Sequence, residues 1–495
     1  MAAKPSILRN MTQLGLAQAL TMALALVLKV YLPRALGLEK SGLIFFAESL
    51  ILLYFSFLPL GIAIFIYREV PKNPQRARNI VKPILWVELA LFLLVLGAML
   101  LQLHLQGQSF ETKTFIGIFA LGNFCGVLCF QIFKPLLLSL HQVSFVATVE
   151  TLSKALLTVT LVTILIFSTS LSLLAWGFLG AMLLTLAVYL KKLRREGLWA
   201  GQINRAFFQD ILIQPLPYFI HGALAGVYMN MDMALLGSWS NAAESGLYGA
   251  ALRLVGIFLL FIPLLSSSVM PVLSQLFAHD GEAYRRLLAK VFRLTLALSA
   301  MLVFLLVLFA EECIRLLYGN EFTPSVGALQ LLSPTLTLTY CNVLLSQHLT
   351  LVSSGRQLIL VTSLSIALDL ALNSFLITWG LGYWGLGGAG MGVAITAVLS
   401  EVFVFLAFSY LSKDYLIGSK LNLRMLLIAL PLCVLIVLSH GTSWALWWRC
   451  GLALICVPGG IFALRLITPA DVRELKTKIQ KRFAARGTKS KPTIL

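Results

Sequence analysis

The chain has 495 residues, of which 59% are hydrophobic and only 12% are charged, and its mean hydropathy is +0.91. A soluble domain usually carries about twice that share of charged residues, which excludes a soluble enzyme with a large apolar core. The formal net charge of +18 would suit a nucleic-acid-binding protein, but the charges fall between long apolar stretches and form no single patch. The composition is therefore typical of a polytopic membrane protein.

About fourteen apolar stretches of roughly 20 residues follow one another along the chain, and a helix needs about 20 such residues to cross the ~30 Å hydrocarbon core of a bilayer. We therefore predict an all-α membrane protein with about 14 transmembrane helices. Pro431 interrupts the thirteenth stretch, so the last two stretches could instead form one re-entrant hairpin. The predicted spans are residues 11–33, 41–66, 83–104, 114–134, 145–168, 171–190, 211–237, 246–276, 288–310, 325–352, 358–380, 384–410, 424–440 and 445–467.

Lysine and arginine accumulate in alternate loops, most densely at 68–82 and 191–205 and in the tail after residue 465. An excess of positive charge marks the cytoplasmic side of membrane proteins. The pattern therefore predicts cytoplasmic N- and C-termini. It also assigns the net charge to topology and to contact with membrane lipids, and it predicts no nucleic-acid partner.

The chain contains an internal repeat at a shift of 204 residues. Ser41-Gly42-Leu43 matches Ser245-Gly246-Leu247, and Phe57-Leu58-Pro59-Leu60 matches Phe261-Ile262-Pro263-Leu264. Six predicted spans separate the two copies, so the halves are parallel repeats. The predicted organisation is an N-terminal six-helix half at 1–190, a basic cytoplasmic linker at 191–210, a C-terminal six-helix half at 211–410, two extra helices at 411–467 and a basic cytoplasmic tail at 468–495.

Four motifs in this order resemble bacterial polysaccharide-export flippases of the Wzx type. They are Tyr31-Leu-Pro-Arg-Ala-Leu-Gly37 before Ser41-Gly42-Leu43; Asp232 before Glu244-Ser-Gly-Leu-Tyr-Gly-Ala-Ala-Leu-Arg253; Leu316-Leu-Tyr-Gly319 before Pro324; and Asn373 before Gly385-Leu-Gly-Gly-Ala-Gly-Met-Gly-Val-Ala394. The resemblance covers the chain to about residue 410. It implies the multidrug/oligosaccharidyl-lipid/polysaccharide exporter superfamily.

For function, this resemblance implies a flippase of the bacterial inner membrane that moves an undecaprenyl-diphosphate-linked oligosaccharide, such as an O-antigen repeat unit, to the outer leaflet. Expected partners are that lipid-linked glycan, polysaccharide polymerase and chain-length proteins, and H⁺ or Na⁺ as a coupling ion. A cation-coupled drug antiporter and a lipid II flippase remain alternatives within the superfamily. A membrane polysaccharide polymerase is a further alternative, disfavoured because the longest predicted outside loop, 311–324, is too short for its catalytic residues.

Charged residues within predicted spans are costly and need a reason. Lys29 and Glu48 lie equally far from the first outside turn, and Asp232 and Arg253 do the same around the corresponding turn of the second half. Antiparallel helices bring each acid and base to one depth. We therefore predict two ion pairs, which are either static or exchange partners as the halves rock.

The fifth and eleventh predicted spans carry a second set of charges. Glu150 and Lys154 are one turn apart, and a shift of 215 residues aligns Lys154 with Asp369. Asp369 is the leading candidate for a titratable coupling group; alternatively, it only neutralises Lys154. Substrate binding is assigned to Lys29, Lys154 and Arg253, since a diphosphate needs several cations. Ion coupling or ion pairing is assigned to Glu48, Asp232, Asp369 and Glu150.

The sequence has no phosphate-binding Gly-x4-Gly-Lys-Ser/Thr loop, no His-Glu-x-x-His and no Cys-x-x-Cys. ATP hydrolysis by such a loop and metal sites of these types are therefore not expected. No catalytic residues, metal ligands or cofactors are assigned. The protein is expected to be a transporter that draws on an ion gradient or on consumption of its product.

Overall fold

The computed structural model describes residues 7–58, 61–73, 77–199, 216–352 and 355–413. Only part of the predicted linker at 191–210 falls within these ranges. The two predicted helices at 424–440 and 445–467 and the predicted tail at 468–495 lie outside them. Every regular element in the described ranges is a helix, which confirms the predicted fold class.

Sixteen α-helices are described, together with a π-helical segment at Leu128–Phe133 and a 3-10 turn at Asn320–Phe322. The α-helices are α1 (Ile7–Leu36), α2 (Leu38–Phe55), α3 (Ile62–Glu69), α4 (Ala77–Leu105), α5 (Phe110–Val127), α6 (Lys134–Ser139), α7 (Val143–Phe167), α8 (Leu171–Arg195), α9 (Leu216–Trp239), α10 (Ala242–Leu259), α11 (Ile262–His279), α12 (Gly281–Leu308), α13 (Ala310–Leu317), α14 (Ser325–Val352), α15 (Arg356–Trp384) and α16 (Gly388–Leu411).

Within the described ranges, nine helical segments are long and apolar enough to cross a membrane. The described parts of three predicted spans form helices that do not belong to these nine: 11–33 falls in α1, 41–66 includes α2 and α3, and 211–237 overlaps α9. These helices contain Lys29, Glu48 and Asp232, respectively.

Two predicted spans differ from the structure because each is broken into two helices. Span 41–66 is divided between Phe55 and Ile62, and span 246–276 is divided between Leu259 and Ile262. The two breaks start at repeat-equivalent positions, beside the matched prolines Pro59 and Pro263. Proline has no backbone N–H and clashes with the preceding turn, so a continuous apolar run does not produce a continuous helix at either place.

The described helices form two compact units. The first comprises Met1–Ile257, Ile314–Ala328 and Ile359–Ser400, and thus combines parts of both predicted halves. Within it, α1 packs along α7, α2 along α9, and α5 and α7 against α8. All the candidate site residues lie in this unit.

The second unit comprises Phe258–Cys313, Leu329–Leu358 and Glu401–Leu495. Its described part contains a small core formed by Leu273, Tyr284 and Leu288, where α11 meets α12. Tyr284 Oη lies 2.5 Å from His348 Nδ1 on α14, and Asn342 Nδ2 donates to Glu401 Oε2 at 2.5 Å. Hydrogen bonds therefore connect α14 to α12 and to α16 within this unit.

In the first unit, α2 crosses α10 at two glycines that are equivalent in the repeat. A Cβ atom added to Gly42 would lie 1.7 Å from the Ala242 carbonyl oxygen, and one added to Gly246 would lie 2.4 Å from the Leu38 carbonyl oxygen. Residues 38 and 242 are themselves related by the shift of 204. Such reciprocal contacts are what a local two-fold axis between the repeats produces.

Candidate functional site

Four charged side chains line one cavity of about 170 Å³ in the first unit, and we call this the cation cavity. Its charged residues are Lys29 on α1, Glu48 on α2, Lys154 on α7 and Arg253 on α10. The remaining lining is apolar and comes from Ala25, Leu28, Leu32, Ile44, Phe115, Phe119, Leu157, Leu161, Leu174, Ala175 and Phe178. Apolar walls keep the local dielectric low, which strengthens the field of the charges they surround.

Arg253 is held by two residues of α2. Its Nη2 atom lies 2.5 Å from Glu48 Oε2, and its guanidinium stacks over the Phe45 ring at 3.9 Å from the ring centroid. The Phe45 ring fits against Gly249, one turn before Arg253, where an added Cβ would lie only 2.1 Å from the ring. The missing side chain at Gly249 thus lets Phe45 support the guanidinium.

Lys29 and Lys154 complete the cavity without direct partners. Within the described part of the chain, neither ammonium group forms a hydrogen bond or a salt bridge, although Lys29 is close enough to Arg253, Glu48 and Lys154 for electrostatic interaction. Three cations therefore share one carboxylate. The excess of two positive charges is the main electrostatic feature of the cavity.

The structure brings the predicted residues together in different pairs from those expected. Glu48 contacts Arg253 rather than Lys29. Glu150 forms a 2.8 Å salt bridge with Lys134 on α6, rather than pairing with Lys154. Lys154 is thereby left to face the cavity.

A second polar cluster, which we call the carboxyl cluster, consists of Asp232 on α9, Asp369 and Asn373 on α15, and Ser400 on α16. Asn373 Nδ2 donates to Asp232 Oδ1 at 2.8 Å, and Ser400 Oγ donates to Asp369 Oδ1 at 2.7 Å. The two carboxyl groups are themselves within hydrogen-bonding reach of each other. Asn373 Oδ1 is buried and has no hydrogen-bond partner among the described residues.

The carboxyl cluster offers only oxygen atoms and one amide to a ligand. Such donors suit a proton or a hard cation. In the ranges described, no group of three or more His, Cys, Asp and Glu residues is arranged to hold a metal ion. Asp369 contacts Asp232 and Ser400, while Lys154 lies in the other site, so the alignment at a shift of 215 residues does not correspond to a contact.

Sequence reasoning missed two residues that shape these sites, Phe45 and Ser400. Both are ordinary residues of apolar helices, and no pattern in the sequence distinguishes them. Asn373 had a signal, because it follows Asp369 by one helical turn and therefore shares its face.

Comparison with known proteins gives a consistent result. Residues 7–277 match the family described as "Polysaccharide biosynthesis protein". A probable low-salt glycan biosynthesis flippase of Haloferax volcanii, Agl15, is 24% identical over 211 residues. That alignment covers 41% of this chain, and the chain spans only 43% of the length of this relative.

Two solved structures show the same fold. The lipid II flippase MurJ in an inward closed conformation superposes with a TM-score of 0.66 at 16% identity, covering 93% of this chain and 99% of MurJ. An inward-facing multidrug transporter of the MATE family gives a TM-score of 0.61 at 16% identity, covering 82% of this chain and 96% of that protein. The resemblance found in the sequence motifs is thereby confirmed at the level of family and fold.

Proposed function

The chain belongs to the polysaccharide biosynthesis protein family, and from this membership we propose that it is a flippase for undecaprenyl-diphosphate-linked oligosaccharide. It moves the glycan from the cytoplasmic to the outer leaflet of the bacterial inner membrane by alternating access between its two repeats. The chemistry is transport: the glycan changes leaflet and no covalent bond is made or broken.

The excess of two positive charges in the cation cavity is the observation that carries this proposal. A diphosphate diester has one negative charge on each phosphoryl group, which matches that excess. Arg253 can bind a phosphoryl group bidentately, and Lys29 and Lys154 act as point charges beside it. The apolar lining lowers the local dielectric and so strengthens the attraction between these cations and the bound diphosphate.

The size of the cavity indicates how the site is used. A volume of about 170 Å³ is too small for a diphosphate with its sugars, so these enter only when the cavity widens. Glu48 then serves as the internal counter-ion of Arg253 while the cavity is small. The arriving diphosphate replaces Glu48 at Arg253, an exchange of partners between residues of the two predicted halves.

The carboxyl cluster is proposed as the site of ion coupling. Asp369 and Asp232 lie side by side, and like charges at that distance are relieved by one proton or one cation. Asn373 Oδ1 and Ser400 Oγ supply further oxygen atoms for H⁺ or Na⁺. Glu150 forms a salt bridge with Lys134 and lies outside the cluster.

Transport in proteoliposomes tests the flippase proposal. Purified protein is reconstituted with a fluorescent undecaprenyl-diphosphate oligosaccharide, and an impermeant quencher reports which leaflet holds the head group. We expect protein-dependent flipping that Arg253→Ala slows at least tenfold, because one charge-assisted contact is worth about 1.5–3 kcal/mol. Arg286→Ala is the matched control, since Arg286 is exposed and forms its salt bridge with Glu282 on the same helix.

The outcomes separate function from site. Flipping that is insensitive to Arg253→Ala would keep the function and remove Arg253 from the site. No flipping, but ion-coupled efflux of a cationic dye, would replace the flippase with a drug antiporter.

Ion coupling has its own test in the same vesicles. With an imposed H⁺ or Na⁺ gradient, we expect Asp369→Asn to abolish the acceleration that the gradient gives, while leaving slow flipping intact. Glu150→Gln is the control, because it removes a carboxylate that lies outside the cluster. A gradient response that survives Asp369→Asn would eliminate the carboxyl cluster as the coupling site.

A further inference from the structure

The buried face of α4, which we call the α4 seam, contains one acidic residue, Glu88. Its side chain is 0% exposed, and neither carboxyl oxygen has a hydrogen-bond partner among the described residues. An ionised carboxylate in such surroundings is strongly disfavoured, so the closed seam holds Glu88 as the neutral acid. The other buried residues of the seam are Ala77, Ile80, Val81, Pro83, Ile84, Val87, Phe92, Val95, Met99 and Leu103.

Glu88 lies at the level where both neighbouring helices lose regular α-helical geometry. Phe92, one turn from Glu88, contacts Phe55 edge-on at 5.9 Å and stacks on Phe124 at 4.2 Å. Phe55 is the last residue of α2, before the break that precedes α3. Since α4 and α5 form an antiparallel hairpin, the turn from Phe92 to Glu88 corresponds to the turn from Phe124 to Leu128, where the π-helical segment begins.

The groups around this level decide which ligand Glu88 can take. α2 and α5 pack against α4. The titratable groups of these two helices that are ordinarily neutral are Tyr54 on α2, whose hydroxyl donates to Gln102 of α4 at 2.5 Å, and Cys125 on α5; Cys129 follows in the π-helical segment. Tyrosine and cysteine side chains are ordinarily neutral at neutral pH. The charged residues of these two helices are Glu39, Lys40 and Glu48 on α2 and Glu111 and Lys113 on α5.

These surroundings favour a proton over a metal cation. A bound cation needs several oxygen ligands around it, whereas no hydroxyl, amide or carboxylate in the described ranges is hydrogen-bonded to Glu88. A proton needs only the carboxyl group itself. The charge of Glu88 is therefore neutralised within the residue.

We propose that Glu88 is a proton-binding site of the N-terminal half. The carboxyl group keeps its proton while the α4 seam is closed. It releases that proton to solvent water and becomes a carboxylate when the seam opens between the α2–α3 break and the π-helical segment. Helix breaks and π-helical turns are the places where a helix can rearrange locally. Opening is thereby linked to one proton, so alkaline pH favours the open seam and acidic pH the closed one.

This inference does not depend on the transported substrate. It rests on the burial of Glu88 and on the two irregular helices beside it. It is also separate from the carboxyl cluster, whose residues lie on α9, α15 and α16. Failure of the flippase proposal would leave it standing, and its own failure would leave the flippase proposal untouched.

Alkylation of native cysteines tests the site in the full-length protein in nanodiscs. Cys129 is buried in the π-helical segment and reports opening of the seam, while Cys313 on α13 is the internal reference for the intrinsic pH dependence of a thiol. Peptide mass spectrometry gives the ratio of the two N-ethylmaleimide labelling rates from acidic to alkaline pH. The variants are Glu88→Gln, which keeps the shape and cannot ionise, and Glu150→Gln as the matched control.

In the wild type and in Glu150→Gln, we expect the ratio to rise with pH, by at most about tenfold per pH unit, the limit for one linked proton. In Glu88→Gln this additional rise should be absent. A Glu88→Gln profile that follows the wild type would overturn the proposal.

An infrared titration of the wild type provides a readout that needs no Glu88→Gln protein. The carbonyl band of a protonated carboxylic acid should disappear over the pH range in which Cys129 becomes reactive, and Glu88→Asp should shift that range. If no such band disappears there, Glu88 is not the proton-binding group.

Discussion

At the scale of single residues, the cations of the cation cavity differ in what holds them. Arg253 is fixed by the Glu48 carboxylate and the Phe45 ring, whereas Lys29 and Lys154 keep their ammonium groups available within the described surroundings. A planar guanidinium is well suited to be the fixed member, because it can stack and form directed hydrogen bonds at once. The lysines can then follow a ligand as it moves.

The Glu48–Arg253 pair should respond to charge reversal. The Glu48 side chain is 45% exposed and that of Arg253 is 17% exposed, so we expect the pair to contribute only about 1 kcal/mol to stability. Glu48→Arg and Arg253→Glu should each lower the thermal unfolding temperature in detergent, and the double variant should recover most of the loss. The net charge of the cavity is unchanged in the double variant, so part of the flipping activity should return with it.

The salt bridge between Lys134 and Glu150 provides the control for this swap. Reversing both of its charges should restore thermal stability in the same way. The flipping rate should change only as far as any remaining loss of stability explains. Losses that simply add in the Glu48→Arg, Arg253→Glu double variant would show that the two residues are not coupled.

At the scale of helices, the α2–α10 crossing should be the least tolerant contact of the first unit. Gly42→Ala places a methyl group where the Ala242 carbonyl oxygen now lies, and overpacking of this kind typically costs about 1–3 kcal/mol. Gly97→Ala in α4 is the control: an added Cβ there meets no atom within 4 Å, and alanine is favoured over glycine in a helix by about 0.5–1 kcal/mol.

Thermal unfolding of the purified variants measures this difference. We expect Gly42→Ala to lower the unfolding temperature and Gly97→Ala to leave it unchanged or raise it. Equal unfolding temperatures for the two variants would mean that the crossing relaxes without cost.

The positions of the helices could be predicted from the sequence because apolar length alone identifies a membrane span. The breaks after Phe55 and Leu259 had a signal in Pro59 and Pro263, which the continuous apolar runs outweighed. The π-helical segment at Leu128–Phe133 had none, since its composition is that of any apolar helix. The local sequence therefore predicts well which segments are buried, and it predicts poorly which backbone hydrogen bonds a helix forms.

The sequence predicted which residues form the candidate site, but it did not predict which of them contact one another. Counting residues from a turn gives the depth of Lys29, Glu48, Asp232 and Arg253 in the membrane. A charged side chain at such a depth is energetically unfavourable, so each of them is a candidate for a functional role. Depth does not say which neighbouring helix a side chain faces. Glu48 therefore lay at the expected level while its contact was with Arg253, on a helix about 200 residues away in the chain.

At the scale of the whole molecule, orientation in the membrane is decided by the loops, because positively charged segments are retained on the cytoplasmic side. The end of α8 carries four basic residues, Lys191, Lys192, Arg194 and Arg195. After the turn between α4 and α5, the first lysine or arginine is Lys113. The two turns lie at opposite ends of α5–α8, which hold three of the nine described segments that are long and apolar enough to span a membrane: Phe110–Ser139, Val143–Phe167 and Leu171–Arg195. Three crossings place the two turns on opposite sides of the membrane. The first turn is therefore expected outside and the second in the cytoplasm.

Reporter fusions check this orientation. Alkaline phosphatase is active only after export, so we expect activity when it is fused after Gly107, in the α4–α5 turn, and none when it is fused after Gly197, beyond α8. Green fluorescent protein at the same two positions should give the opposite pattern, which controls for expression. Replacing the four basic residues at the end of α8 with glutamine should weaken the retention of that loop, because the bias depends on lysine and arginine themselves and little on acidic residues. Phosphatase activity after Gly197 and none after Gly107 would show that the protein has the opposite orientation in the membrane. The cation cavity would then open toward the opposite leaflet at each step of the transport cycle.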